Sequence, residues 1–137
     1  MATCIRLIQL HLGILIGSFV FFGIAFAQSA VVADEVLVKP IQVAPHTYFV
    51  QGRPEMGNST NQNFISNAGF VVTPGGVVVV DALGSPVLAK KLIAEIKKVS
   101  NQKIVAVIVS HYHADHIYGL QEFKKIGAKI YAQGEGR

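Results

Sequence analysis

The chain has 137 residues, 51% of them hydrophobic and 15% charged, with a formal charge of +4 and one cysteine, Cys4. That length allows one domain at most, and one cysteine excludes an intrachain disulfide framework. The basic residues are scattered, without the clustering and interleaved aromatics of a nucleic-acid surface, so no nucleic-acid partner is expected.

Arg6, the apolar stretch from Leu12 to Ala27 and the small-x-small pattern Ala25-Phe26-Ala27 read as a secretory signal over residues 1–27. Ala33 offers a second cleavage point. The alternative is an uncleaved anchor, because the stretch approaches the ~20 residues that span a bilayer. No basic stop-transfer cluster follows it, which favours cleavage and leaves no membrane contact. Cleavage removes Cys4 and Arg6, so the exported form is thiol-free with eleven Lys and Arg against eight Asp and Glu. A periplasmic or secreted location follows.

Residues 28–45 read as a loosely structured lead-in, with Val36-Leu37-Val38 a short strand within it. The domain proper is expected over 46–137. Thr47-Tyr48-Phe49-Val50, β-branched and aromatic, predicts a strand, and the polar run 52–63 a long loop. Residues 64–73 and 77–81 predict a hairpin around Thr73-Pro74-Gly75-Gly76, where Pro fixes one dihedral and Gly supplies positive φ. Val77-Val78-Val79-Val80 lacks alternation, which predicts a strand covered on both faces. Ser85-Pro86 opens a helix as N-cap and first helical residue, and Leu88, Leu92, Ile96 and Val99 give it one apolar face. Residues 104–109 predict another buried strand. Leu120, Phe123 and Ile126 mark a second helix that Gly127 ends, and residues 129–133 a last strand. The order describes an α/β layer (α+β by some schemes): one mixed β-sheet with helices on one face.

Between the strand at 104–109 and the second helix stands His111-Tyr112-His113-Ala114-Asp115-His116. Neutral imidazole and carboxylate are ligands for Zn²⁺ and its first-row neighbours. Spaced by two in extended backbone, His111 and His113 point to one side and suit one ion. Asp115 and His116, entering the helix, project differently and suit a second ion. Two ions about 3.5–4 Å apart bridge and acidify a water, which Asp115 would orient or deprotonate. Packing explains such a cluster poorly, because burying it unliganded is costly. A lone histidine, His46, reads instead as an ordinary hydrogen-bonded residue.

This motif, after an apolar strand, resembles the signature of the metallo-β-lactamase superfamily. The stretch Asn67-Ala68-Gly69-Phe70-Val71-Val72, the Pro-Gly turn and the Val-rich strand ending in Asp81 agree, so the resemblance covers about residues 46–133. It implies the N-terminal half of an αββα sandwich. It implies a metal-dependent hydrolase acting on an amide, ester, thioester or β-lactam in a small-molecule substrate, with two zinc ions. The first would sit on His111 and His113, the second on Asp115 and His116, with Asp115 also catalytic. An iron-dependent oxidoreductase of the same superfamily, or a non-catalytic fragment, are the alternatives. Asp81 would be a buried support for the metal loop, or else a solvent-exposed turn carboxylate. The loop at 52–63 would be a flap beside the substrate, or else a mere connector.

The sequence departs from the family in its later half. Past His116 there is no His or Cys, and Glu135 is the one carboxylate past Glu122. Catalytic zinc takes three protein ligands plus water, and two histidines fall short. A partial chain is therefore expected, inactive alone, with one sheet face bare and a route to self-association through it.

Overall fold

The computed structural model describes residues 36–134. The signal segment 1–27, with Cys4, and the first part of the lead-in lie outside the described residues. Six strands form one sheet in chain order: β1 (Pro40–Ala44), β2 (Thr47–Val50), β3 (Ala68–Thr73), β4 (Gly76–Val80), β5 (Ile104–Ile108) and β6 (Lys129–Tyr131). β1 to β4 pair antiparallel, whereas β4–β5 and β5–β6 are parallel. The parallel pairs need crossovers, supplied by α1 (Pro86–Val99) and by α2 (Ala114–Ile117) with α3 (Leu120–Lys125). The fold is α/β, as the order of elements predicts. Among the described residues, no helix is long and apolar enough to cross a membrane.

The core lies on one face of the sheet. Tyr48, Phe70, Val79, Val107 and Ile130 stand in register across five strands, and Tyr48 stacks on Phe70 with ring centroids 4.6 Å apart. Leu88, Leu92 and Ile96 of α1 and Phe123 of α3 close over this row, all fully buried. Ser85 caps α1 by accepting the Leu88 N–H at 3.3 Å, with Pro86 in the first turn. Burying each such side chain is worth about 1.5–3 kcal/mol against exposure.

The other face has no covering layer among the described residues. Its central row runs Ile41, Phe49, Gly69, Val80, Ile108, Tyr131. Ile41 is 51% exposed, Ile108 46% and Tyr131 52%. This corrects the expectation for the four-valine strand. Val77 and Val79 are fully buried, but Val80 points to the bare face and is 38% exposed. The unbroken apolar run marks a strand suited to two covered faces, of which the helices cover one.

Several boundaries also shift. Val36-Leu37-Val38 is not a strand; β1 begins at Pro40. Val36 and Val38 are buried and Leu37 exposed, so the alternation is real. Their anchor, however, is a lysine: the Lys91 ammonium donates to the Val36 carbonyl at 2.7 Å. β3 starts at Ala68 rather than residue 64, because the preceding residues bond back to the loop: Arg53 N–H donates to Phe64 O at 2.8 Å and Gly52 N–H to Asn67 Oδ1 at 3.0 Å. On α1, Ala89 and Ile93 are buried while Val99 is exposed. The single helix expected after the histidines is two, with Gly119 between them. Gly127, at φ 85°, follows the end of α3, and β6 stops at Tyr131.

Candidate metal centre

β4 and β5 run side by side with Val80 opposite Ile108, so their C-terminal ends deliver Asp81 and Ser110-His111 to the same edge. In open α/β sheets such strand ends are where ligands gather. The Asp81 N–H continues the ladder to the Ile108 carbonyl at 3.0 Å. Asp81 itself takes a left-handed φ of 62°, and Leu83 one of 65°, which swings the chain sharply off the strand. Asp is among the few residues that accept this region readily.

Asp81 is buried, its side chain 7% exposed, so the solvent-exposed alternative for it falls away. Its carboxylate accepts three hydrogen bonds. Oδ1 takes the Ser110 N–H at 2.8 Å; Oδ2 takes the Ser110 hydroxyl at 2.7 Å and pairs with His116 Nδ1 at 2.7 Å. Ser110 Oγ also lies 2.9 Å from His111 Nδ1. Sequence reasoning passed over Ser110, whose one signal is its place directly before the first histidine.

The helix α2 sets Asp115 and His116. The Ala82 N–H donates to the His116 carbonyl at 2.8 Å, the Gly119 N–H to Leu83 O at 3.1 Å, and the Ser66 hydroxyl to the Asp115 carbonyl. These bonds tie the cluster to the turn after β4 and to the segment just before β3. A helical turn of four residues places His116 back over the extended segment. Its ring centroid is 4.1 Å from that of His111, and His113 is 4.6 Å from His111. The three imidazoles are therefore neighbours, His111 and His113 exposed, His116 mostly buried.

His116 Nε2 faces Asp115 Oδ2 across 3.5 Å. Two donors each about 2.0–2.2 Å from one tetrahedral ion stand roughly 3.3–3.5 Å apart. The pair thus has the spacing of two ligands on a shared cation, and the Asp81 partner of His116 is the kind of carboxylate that backs a metal-bound imidazole. The donor set fits a divalent metal in chemistry and in this one spacing. Among the described residues, though, no three His, Cys, Asp or Glu side chains converge as a ready-made cage. His46 is not part of the cluster. It occupies the β1–β2 turn with φ 61°, and its carbonyl accepts from Val72 N–H at 2.9 Å. Val72 pairs with the start of β4, so His46 is at the opposite end of that strand from Asp81.

The loop at 52–63 is organised by the buried Asn61. Its Oδ1 accepts from the N–H of Asn58 and of Asn63, both at 2.9 Å, and its Nδ2 donates to Met56 O at 2.9 Å. Asn63 lies against Gly84, in the turn that carries Asp81. A cleft of about 410 Å³ opens beside His111, between Tyr112, Ile117, Leu120 and Ile130.

Comparison with known proteins agrees with this architecture. Residues 62–132, just over half of the chain, match the model of the metallo-beta-lactamase superfamily. A metallo-beta-lactamase type 2 of Elizabethkingia meningoseptica is 38% identical over 69 residues, covering 50% of this chain and 28% of that protein. Metallo-beta-lactamase IND-1 of Chryseobacterium indologenes is 33% identical over 104 residues, 76% of this chain and 41% of its own length. A linear primary-alkylsulfatase from a Pseudomonas species is 35% identical over 70 residues, 47% of this chain but 13% of that enzyme. The chain therefore spans less than half the length of each of these curated relatives. By the match over 62–132, and by the strand order and histidine cluster it contains, the chain belongs to the metallo-beta-lactamase superfamily.

Proposed function

We propose that this chain carries the first-half metal ligands of a metal-dependent hydrolase, zinc being the ion. His111 and His113 hold one ion, Asp115 and His116 a second, and the ions supply Lewis acidity and an activated water. Asp115 would orient a water at this site and accept its proton. Asp81 holds His116 from behind, and the loop at 52–63 flanks the substrate. The observation that carries the reading is the 3.5 Å gap between His116 Nε2 and Asp115 Oδ2, with Nδ1 of the same ring committed to Asp81.

Substrates in this reading are small molecules with an amide, ester, thioester or β-lactam bond. The names of the relatives, two lactamases and an alkylsulfatase, support hydrolysis without choosing among them. Each assigned ion has two ligands from this chain, one fewer than catalytic zinc usually takes. The 137-residue chain is thus expected to bind metal and to hydrolyse nitrocefin or a thioester far more slowly than a form extended to the relatives' length. Export through the segment 1–27 completes the proposal; a mature N-terminus at residue 28 or 34, read by mass spectrometry, tests it.

The main test is metal content of the purified protein. Zinc is expected at the site, and His113→Ala should abolish uptake while His46→Ala leaves it nearly unchanged. Iron in place of zinc favours the oxidoreductase alternative, and equal losses from both substitutions overturn the assignment of the ligands.

A further inference from the structure

The hydrogen bonds around Asp81 constrain where protons sit. A carboxylate only accepts, so in the 2.7 Å contact with His116 the proton is on Nδ1 of the ring. Ser110 has one hydroxyl proton, and it points to Asp81 Oδ2 at 2.7 Å. Toward His111 Nδ1, 2.9 Å away, the same oxygen then offers only lone pairs. The proton in that contact must come from His111. Both rings therefore carry hydrogen on Nδ1, so in the neutral form of each ring Nε2 is the bare nitrogen.

We propose that Ser110 is a positioning residue that relays the acceptor character of Asp81 to His111, so that one buried carboxylate fixes the tautomer of two imidazoles, one directly and one through a hydroxyl. The inference rests on the reading of His111 and His116 as metal ligands, for which a bare Nε2 is the required state. Without the hydroxyl, His111 keeps its backbone position but loses what selects its tautomer and ring rotation. His116 keeps its own bond to Asp81. The two histidines then stop behaving alike, which a general loosening of the loop would not produce.

Long-range ¹H–¹⁵N correlation spectra of the metal-free chain at pH 8 distinguish the two neutral tautomers. The unsubstituted protein should show Nδ1–H for both His111 and His116. Ser110→Ala should move His111 alone toward the Nε2–H form, and Ser110→Thr should restore it. In competition with a chromophoric chelator, Ser110→Ala should weaken zinc binding by about tenfold, the lower end for loss of a ligand's hydrogen-bond partner, with Ser110→Thr close to the unsubstituted protein. Nε2–H on His111 of the unsubstituted chain, or no change in its tautomer with Ser110→Ala, overturns the relay. Equal shifts in both rings overturn it too. A chain that takes up no zinc yet shows the expected tautomers counts against the metal reading and upholds the relay.

Discussion

Gly119 is where the helix carrying His116 meets the turn carrying Asp81, and Gly119→Ala tests how far the cluster depends on that contact. An added Cβ would fall well inside the Ala82 carbonyl oxygen, 3.0 Å from the carbonyl carbon and 2.7 Å from the Ala89 Cβ. The backbone at Gly119 has φ −82°, which any residue adopts, so the cost is purely steric. Both main obstacles are short and rigid, one backbone and one a methyl, so no rotamer change relieves them. Overpacking by a methylene costs about 1–3 kcal/mol where side chains can adjust; here the upper value is the starting point. Separating the segments also strains the bonds Gly119 N–H to Leu83 O and Ala82 N–H to His116 O, worth about 1 kcal/mol each. The expected loss is roughly 3–5 kcal/mol, read as a fall in the urea midpoint at unchanged slope. Gly127→Ala is the control. Nothing lies within 4 Å of its added Cβ, and its φ of 85° is the sole penalty, about 1–2 kcal/mol. If Gly119→Ala costs no more than Gly127→Ala, the close approach does not secure the cluster and the reasoning fails.

Other outcomes are expected on the same grounds. Leu92→Ala removes a fully buried side chain from the α1–sheet interface and should cost about 2–5 kcal/mol in urea unfolding; less than 1 kcal/mol would mean that α1 does not rest on the sheet as described. Ser85→Ala removes the acceptor of the Leu88 N–H and should cost about 1 kcal/mol, with Ser85→Asp largely neutral; an equal loss from both would place the effect outside the cap. Ile108→Lys puts a charge on the bare sheet face, where the native residue is 46% exposed. Sedimentation of the 137-residue chain should shift toward monomer with little change in melting, and unchanged sedimentation would argue against association through that face.

Much of the frame is legible in the residues because its signals are local. The Pro-Gly turn, the Ser-Pro helix start and the parallel strand feeding the histidines each depend on a few neighbouring side chains. The places where reading and structure part depend on partners distant in sequence. Val36 and Val38 alternate as a strand would, yet among the described residues no strand pairs with them, and a lysine 55 positions on donates to the Val36 carbonyl. Val80 looks like a core residue until the sheet shows which face the helices occupy. The break between α2 and α3 follows from Gly119 meeting Ala82, a contact that helical periodicity ignores. At the site, three imidazoles and a carboxylate announce themselves by composition. Asp81 could be read either way until its burial was seen, and Ser110 carries no signal apart from adjacency. Which nitrogen of each ring is free is a matter of three-dimensional hydrogen bonding alone.

Position 81 answers to two demands that seldom coincide. Its left-handed φ of 62° suits glycine best and asparagine or aspartate next, while its three incoming donors need a short side chain with acceptors only. Glycine satisfies the first and offers no oxygen; asparagine satisfies the first but turns one acceptor into a donor; glutamate accepts but is longer and ill suited to the twist. Aspartate alone meets both, so drift at this site is closed off from every side, and a library of all twenty residue types at position 81 should return aspartate alone.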